Sequence, residues 1–467
     1  MSSVVIIGDI MLDINYHGTS TRLAQEACLP VVNVDQTLTS YSLGGAANVY
    51  NNLISMVCET SIISVIGNND NGAILLNMLE KCGNKNNIII DSNRRTTVKN
   101  RFYVNNKLVF RYDIEDTCMI NKDIELQILD AFKTHINSCE ILVLSDYNKG
   151  VLTTTLTNKL IEIANENNIK VFVDPKIKDV NKYKSCFLIK PNQREGENIC
   201  GHHITQQNCI ESAKEICQIM NCTVCLLTLG EHGMIVYDTY MSPPELLIHT
   251  KSINVIDITG AGDVVLASFV YYYMKTYDVY KSAEFSNYCG QIKVKNLGTI
   301  TITPYDILMY EKNINKVISI NDIKPVVEII KATNRTIVLT NGCFDILHVG
   351  HFNLLEKAKE CGDILIVCIN SDKSVKMNKG DSRPINDEQY RCKQLSMLEC
   401  VDYVVVFDDK TPLDIIEKIR PDILVKGGDY NMSQILGKEY AKETRIIDYI
   451  EGFSTTSICN SVKKMIK

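Results

Sequence analysis

Asp263 closes the run Asp257-Ile258-Thr259-Gly260-Ala261-Gly262-Asp263, and an apolar helical stretch begins at once with Val264, Val265 and Leu266. Two glycines around an alanine let the backbone turn tightly and present successive N–H groups at a helix start. The positive end of the helix dipole favours an anion there, a phosphate oxygen above all. A carboxylate is out of place in a loop that only binds anions. It fits a loop in which Asp263 takes the proton of an attacking hydroxyl while the amides of Gly260, Ala261 and Gly262 hold charge on a transferred phosphoryl group. The alternative is a Gly-rich turn with an aspartate in a favourable first-turn position.

Other candidates precede this run. Asp13 follows the predicted buried strand Val4 to Ile7, where it suits sugar hydroxyls, or else a turn or cap. Gly44, Gly45 and Asn48 stand before an apolar helical run; small residues admit a substrate against the backbone, and Asn48 both donates and accepts. Lys99 and Arg101 alternate along a predicted strand and share one face, with Arg111 on a second alternating stretch. They form either a clamp for a phosphate already on the substrate or a solvated strand face. Asn192 and Glu195, past the strand Leu188-Ile189, suit Mg²⁺ and its waters around ATP, and Thr228 and Gly230 are candidate nucleotide contacts after the strand Val224 to Leu227.

A second constellation lies near the C-terminus. The strand Thr336 to Leu339 leads into Thr340-Asn341-Gly342-Cys343-Phe344-Asp345-Ile346-Leu347-His348-Val349-Gly350-His351. His348 and His351 are three apart, so a helix start puts them on one face, and Gly350 admits a nucleotide closely. Two imidazoles there can grip a triphosphate and stabilise charge on its α-phosphate; a zinc pair is the other reading, with no third ligand in the segment. Lys379, Arg383, Arg391, Lys426 and Gly427 follow, and Ser454-Thr455-Thr456 opens the predicted last helix as a second phosphate grip or a plain cap.

These residues need elements to carry them. In both halves buried strands end in polar residues and alternate with helical runs, which predicts α/β architecture with mostly parallel sheets covered on both faces. At 467 residues two or three domains are expected. A hydrophobic share of 45%, a charged share of 22% and a net charge of −6 describe a globular chain with no bulk electrostatic case for nucleic acid or an anionic membrane. No apolar run approaches the roughly 18 residues that span a bilayer. The chain opens directly into a strand with no signal segment, so its 18 cysteines are read as reduced thiols of a cytoplasmic protein. Cys222 and Cys225 read as core. Cys200, His202 and His203 are a weak metal signal, read as a surface loop.

Residues 1–315 resemble the ribokinase-like (PfkB) carbohydrate kinases, on Gly44-Gly45-x-x-Asn48 and Asp257-x-x-Gly260-Ala261-Gly262-Asp263. The resemblance implies a three-layer α/β/α domain with a small β lid and Asp263 as catalytic base. It implies an anion hole at Gly260 to Gly262 and a nucleotide–magnesium site at Asn192 and Glu195. Asp13, Gly44, Gly45, Asn48, Lys99, Arg101 and Arg111 are expected to hold the sugar phosphate.

After a connector over 316–334, residues 335–467 resemble the cytidylyltransferase-like nucleotidyltransferases, on His348-x-Gly350-His351 and Ser454-Thr455-Thr456. That implies a Rossmann-like domain with ATP among Asn341, Gly342, Phe344, Gly350, Lys379, Arg383, Lys426, Gly427 and the Ser454–Thr456 hydroxyls, and His348 and His351 as catalytic residues. The tandem is similar to bifunctional heptose-phosphate enzymes of lipopolysaccharide-precursor synthesis. It implies ATP-dependent phosphorylation of heptose 7-phosphate at O1 and, after a separate phosphatase, adenylyl transfer to heptose 1-phosphate. ATP with Mg²⁺ and a homodimer or larger homo-oligomer are implied too. The alternative is the same pair of activities on another sugar or polyol phosphate, with CTP as a possible donor.

Overall fold

The computed structural model describes residues 3–83, 86–105, 107–176, 179–250, 254–428 and 431–448. The chain divides into two compact units, Met1–Thr303 and Pro304–Lys467.

The first unit is built on a nine-stranded sheet. Its strands run in the spatial order Glu245–Ile248, Met234–Asp238, Val224–Thr228, Leu188–Ile189, Lys170–Asp174, Cys139–Ser145, Ser3–Gly8, Thr60–Gly67, Asn86–Asp91. The two strands at the Glu245 edge pair antiparallel and the rest pair parallel. Strand residues are β-branched and apolar almost without interruption, as a sheet covered on both faces requires. Val5, Ile7, Leu142, Leu144, Val171 and Val173 face one core with the helices Lys122–Lys133, Thr154–Glu166 and Cys209–Met220. On the opposite face Phe172 packs against Phe269 and Tyr273 of the helix Ala261–Thr276, at ring separations of 6.0 and 5.6 Å. The chain runs outward from Ser3–Gly8 in one direction through Thr60–Gly67, then returns to its other side with Cys139–Ser145. The crevice beyond the C-terminal ends of Ser3–Gly8 and Cys139–Ser145 is therefore a switch point, where open α/β sheets bind ligands.

A four-stranded lid accompanies this sheet in the order Pro30–Gly45, Ile10–Leu23, Val98–Val104, Lys107–Ile114. Asp13 lies inside the 14-residue strand Ile10–Leu23, not in a turn after the first strand. The polar stretch from Asn15 to Arg22 hides that strand from a periodicity reading, because one of its faces is not covered.

The second unit has a six-stranded sheet, all pairs parallel, in the order Val317–Ile318, Tyr403–Phe407, Ile364–Asn370, Ile337–Gly342, Ile423–Gly427, Glu443–Ile447. Alternate strand residues feed two cores, Ile337 and Leu339 to one and Val338 to the other. The stretch 316–334, expected as a connector, supplies the edge strand Val317–Ile318 and the helix Ile323–Ala332. Ile323, Val327 and Ile330 of that helix form a buried stripe in this unit's core, together with Leu308 of the preceding helix Pro304–Ile314. The switch point here lies between Ile337–Gly342 and Ile423–Gly427. Among the described residues no helix is long and apolar enough to cross a membrane.

Candidate functional sites

In the first unit the switch-point crevice gathers residues from distant parts of the chain. Asp9, just past the first strand, is buried and accepts the backbone N–H groups of Tyr147 (2.8 Å), Lys149 (3.0 Å) and Val151 (3.1 Å). Burial pushes its carboxyl up and these three donors pull it back. The loop so fixed aims Tyr147, whose hydroxyl donates to Oδ1 of Asp263 at 2.5 Å; Nδ2 of Asn48 donates to Oδ2 at 2.9 Å. Asp263 is buried in the first turn of Ala261–Thr276. Burial raises its pKa above the ordinary carboxylate value, opposed by those two hydrogen bonds and by the ammonium groups of Lys190 and Lys99. A desolvated carboxylate with an elevated pKa, held from both oxygens, is equipped to receive a proton. Gly260 has φ 76°, and a Cβ there would stand 2.7 Å from Nδ2 of Asn48, so both backbone and neighbour require glycine.

The lid supplies positive charge. Asp13 pairs in register with Lys99, Asn15 with Arg101, and Arg101 with Arg111, which brings Lys99 and Arg101 to one face. Arg101 is buried and lies 3.1 Å from Oδ1 of Asp13. Lys99 sits over the Tyr147 ring at 5.1 Å. Burial lowers the Lys99 pKa, with Arg111 and Arg101 also pushing it down and Asp13 and Asp263 opposing. Three cations close enough to repel one another are a receptor for an anion. Arg111 is the outermost; it is exposed and chelated by Asp113 at 2.8 and 2.6 Å. Gly44 leaves room for Asp13, whose Oδ2 would be 2.9 Å from a Cβ at that position. Gly45, at φ 61°, starts the helix Ala46–Ser55 that carries Asn48.

Asn192 and Glu195 form a capping box on the helix Gln193–Cys200. The Glu195 N–H donates to Oδ1 of Asn192 (2.9 Å) and the Asn192 N–H to Oε2 of Glu195 (3.0 Å). Oε1 of Glu195 meets Lys176 at 3.0 Å. Thr228 bridges to Asn192, and Gly230 opens an exposed 3₁₀ turn with φ 61°. Between this group and Asp263 stands a pair that sequence reasoning did not single out, Lys190 and Asp174, 3.0 Å apart at the ends of neighbouring strands. Burial pushes Asp174 up to about 7 against the pull of Lys190, and Glu195 and Asp263 add to the rise. Asp174 in turn keeps the Lys190 ammonium charged despite its burial. A Cβ at Gly262 would be 3.4 Å from Nζ of Lys190, so that ammonium faces the glycine loop.

In the second unit His348 is the N-cap residue of the helix Val349–Glu360, with Gly350 and His351 in its first turn. The imidazole rings are 3.9 Å apart, and Nδ1 of each is buried with no hydrogen-bond partner among the described residues. Burial depresses the pKa of both, that of His351 to about 4 with help from His348 and Lys379. The structure thus groups His348, His351 and the exposed Lys379. Phe344, buried at φ 46°, packs 5.1 Å from the His351 ring, and a Cβ at Gly342 would press on Phe344 at 3.1 Å. Lys426 hydrogen-bonds Oδ1 of Asn341 across the switch point, and burial lowers its pKa to about 8. Gly427 gives room to Leu354 of the histidine helix. Arg383 is held at 2.5 Å by the buried Asp345, which also accepts from the N–H groups of Ile385 and Asn386. Ser454, Thr455 and Thr456 lie outside the described residues.

Cys200, His202 and Glu215 offer ligand atoms within 4.8 Å of one another. His202 already pairs with Glu215 at 2.9 Å, and burial pushes the Cys200 thiol up to about 12, away from the thiolate a metal needs. His203 turns instead to Glu197. Cys222 and Cys225 are buried in the first core.

Residues 1–306 match the family model of pfkB family carbohydrate kinases, and residues 339–458 the cytidylyltransferase-like model. Along almost the whole chain the match is to bifunctional HldE proteins. The chain is 39% identical to that of Aliarcobacter butzleri over 99% of this chain and 97% of the relative. To that of Helicobacter pylori strain Shi470 it is 38% identical, over 99% of each. The chain belongs to the bifunctional HldE family. Members of this family join a carbohydrate kinase to a nucleotidyltransferase, and this chain is a bifunctional enzyme of that kind. Among solved structures the kinase fold recurs in phosphofructokinase-2 from Escherichia coli in complex with substrates and products, with a TM-score of 0.54 at 17% identity over 66% of this chain and 97% of that one. It recurs again in ribokinase from Giardia lamblia, with a TM-score of 0.53 at 15% identity over 67% and 99%.

Proposed function

We propose that the first unit phosphorylates D-glycero-β-D-manno-heptose 7-phosphate at O1 with ATP. The second unit then transfers adenylyl from ATP to the heptose 1-phosphate, giving ADP-heptose for lipopolysaccharide core synthesis once a phosphatase has removed the 7-phosphate. The observation that carries this reading is the pairing, in a chain that matches HldE proteins along nearly their whole length, of a buried carboxylate at Asp263 with the lid cations Lys99, Arg101 and Arg111. A sugar that already bears a phosphate needs cations at one end and a base at the other.

Asp263 receives the O1 proton while the Gly260–Gly262 amides and the Lys190 ammonium face the phosphoryl group in transit. Asn48 and Tyr147 orient the carboxylate. Asp174 is a hard oxygen donor of the kind Mg²⁺ takes, whereas Asn192 and Glu195 are committed to their helix cap, and Glu195 to Lys176 as well. Mg²⁺ bound with ATP neutralises phosphate charge in both steps. Neutral His348 and His351, whose Nδ1 atoms have no partner among the described residues, become donors when a triphosphate arrives, and Lys426 and Lys379 add charge. In-line attack by the sugar 1-phosphate on the α-phosphate expels pyrophosphate and needs no covalent nucleophile.

A homodimer fits the lid, whose strand Lys107–Ile114 exposes Leu108, Phe110 and Tyr112. Two ATP-consuming steps suit a cytoplasmic enzyme.

Mass spectrometry of products from the purified chain, given heptose 7-phosphate and ATP with and without a phosphatase, tests the whole scheme. Asp263→Asn is expected to lower the kinase rate by about two to four orders of magnitude and to leave adenylyl transfer intact. Equal loss of both steps, or product with a different sugar phosphate only, refutes the reading.

A further inference from the structure

Lys293 lies on the helix Val279–Val294, and its side chain has no exposed surface. A buried ammonium is tolerated only where its protons are met. Nζ donates to the carbonyl oxygens of Asp257 (2.9 Å) and Asn296 (3.2 Å) and stands 3.8 Å from Oδ2 of Asp257. Backbone carbonyls with a carboxylate behind them, converging on one compact charge, are what a monovalent metal ion takes as ligands.

The two segments joined by this charge bear on the phosphate loop. Asp257 opens the run that ends at Asp263. Its Oδ1 accepts from the Thr259 N–H (2.9 Å) and its Oδ2 from the Gly298 N–H (2.8 Å). The N–H groups of Ile256 and Asp257 donate to the Val294 carbonyl (2.7 and 3.3 Å), and Ala261 closes on Ile258 (3.1 Å). Thr299, beside Gly298, backs Gly260, where a Cβ would be 3.2 Å from its Cγ2. A shift at Asp257 therefore reaches the Gly260–Gly262 amides within a few residues. Asp257 stays ionised: burial raises its pKa, but the donors from Thr259 and Gly298 and the nearby Lys293 charge bring it below the ordinary value.

We infer that Lys293 acts as a tethered monovalent cation, fixing the phosphate loop so that phosphoryl transfer in the first unit needs no free K⁺ or NH₄⁺. The inference rests on the kinase reading of that unit, and it makes Lys293 a positioning residue rather than a catalytic one.

The test compares the wild-type chain with Lys293→Ala, which leaves room for an ion, and Lys293→Met, which fills the room without charge. Kinase rates on heptose 7-phosphate are measured at constant ionic strength in tetramethylammonium, sodium, potassium and ammonium chlorides. The adenylyl-transfer rate and a melting curve accompany each preparation. The wild-type rate is expected to be the same in all four salts. Lys293→Ala should lose about tenfold or more in tetramethylammonium, the loss expected when an oriented phosphate donor set is disturbed, and regain most of it in potassium or ammonium. Lys293→Met should lose as much and regain nothing. The melting temperature of Lys293→Ala, unlike that of the wild type, should rise with potassium.

Severalfold stimulation of the wild type by potassium overturns the inference. So does full activity of Lys293→Ala without any small cation, or its failure to recover with every ion while adenylyl transfer persists. A wild type inert towards the sugar phosphate refutes the substrate reading instead, and the potassium dependence of melting then decides the role of Lys293.

Discussion

A neutral His351 makes the second unit sensitive to acid in a way that can be worked out in advance. An imidazole ordinarily titrates at 6.5, but burial, His348 and Lys379 bring the folded ring to about 4. A depressed pKa means that the fold prefers the neutral ring. Its contribution to stability is therefore intact above pH 6.5 and is lost as pH falls towards 4, because the unfolded chain takes up the proton first. At pH 5.5 the loss is about 1.4 kcal/mol, and below pH 4 it approaches roughly 3 kcal/mol, an upper figure for a ring that retains some contact with solvent. His351→Gln keeps a polar side chain and removes the titration. The second unit of the variant should lose about 2.5 kcal/mol less stability than the wild type between pH 7.5 and 4.5, read from urea unfolding followed by a probe in that unit.

The same ring can be watched directly. In protein labelled at histidine ¹³Cε1, the signal missing from His351→Gln identifies the residue, and its midpoint is expected near pH 4. Saturating ATP should raise that midpoint, since triphosphate charge reverses the electrostatic preference. A ring titrating close to 6.5 without nucleotide, or identical pH slopes for wild type and variant, refutes the reasoning and with it the picture of two imidazoles waiting uncharged for an anion.

Gly260→Ala should abolish sugar phosphorylation and spare adenylyl transfer, because a left-handed alanine costs about 1–2 kcal/mol and its Cβ meets Asn48 at 2.7 Å; steady-state assays of both steps check this. Lys99→Ala and Arg101→Ala should each raise KM for the sugar 7-phosphate by about ten- to a hundredfold, the worth of one charge-assisted contact, with little change for ATP; an unchanged KM removes them from the phosphate clamp. Arg391 is fully buried and donates to the carbonyls of Cys343, Asn370 and Asn386 and to Asp372. Arg391→Met should cost the second unit about 3–5 kcal/mol, measured as a lowered melting temperature of that unit.

The parts of the molecule legible in the sequence are those written in short-range pattern. Runs such as Val4-Val5-Ile6-Ile7 and Val224-Cys225-Leu226-Leu227 announce buried strands because every residue in them is apolar. Gly260-Ala261-Gly262-Asp263 announces its loop because the turn, the amides and the carboxylate are contiguous. The lid strand Ile10–Leu23 escaped this reading, since beyond Ile14 its polar residues carry no core signal. Asn192 and Glu195 show the opposite hazard. Their three-residue spacing, suggestive of a metal site, is also that of a capping box, and the structure uses it as one.

The residues to which sequence alone assigns no role are Asp9, Tyr147, Asp174 and Lys190. Each acts on a partner brought close by topology, not by sequence spacing. Asp263 takes its hydrogen bonds from residues 116 and 215 positions away, and Asp9 holds backbone groups about as distant. No periodicity links such positions. What does link them is the reversal of strand order beside Ser3–Gly8, which brings the C-terminal ends of this sheet's first and fourth strands in chain order, Ser3–Gly8 and Cys139–Ser145, to one crevice. Polar residues just past the C-terminal ends of Ser3–Gly8 and Cys139–Ser145 are the ones placed to enter that crevice. Asp9 and Tyr147 satisfy this condition, so the order of strands, once known, converts two inconspicuous side chains into the framework that holds the base.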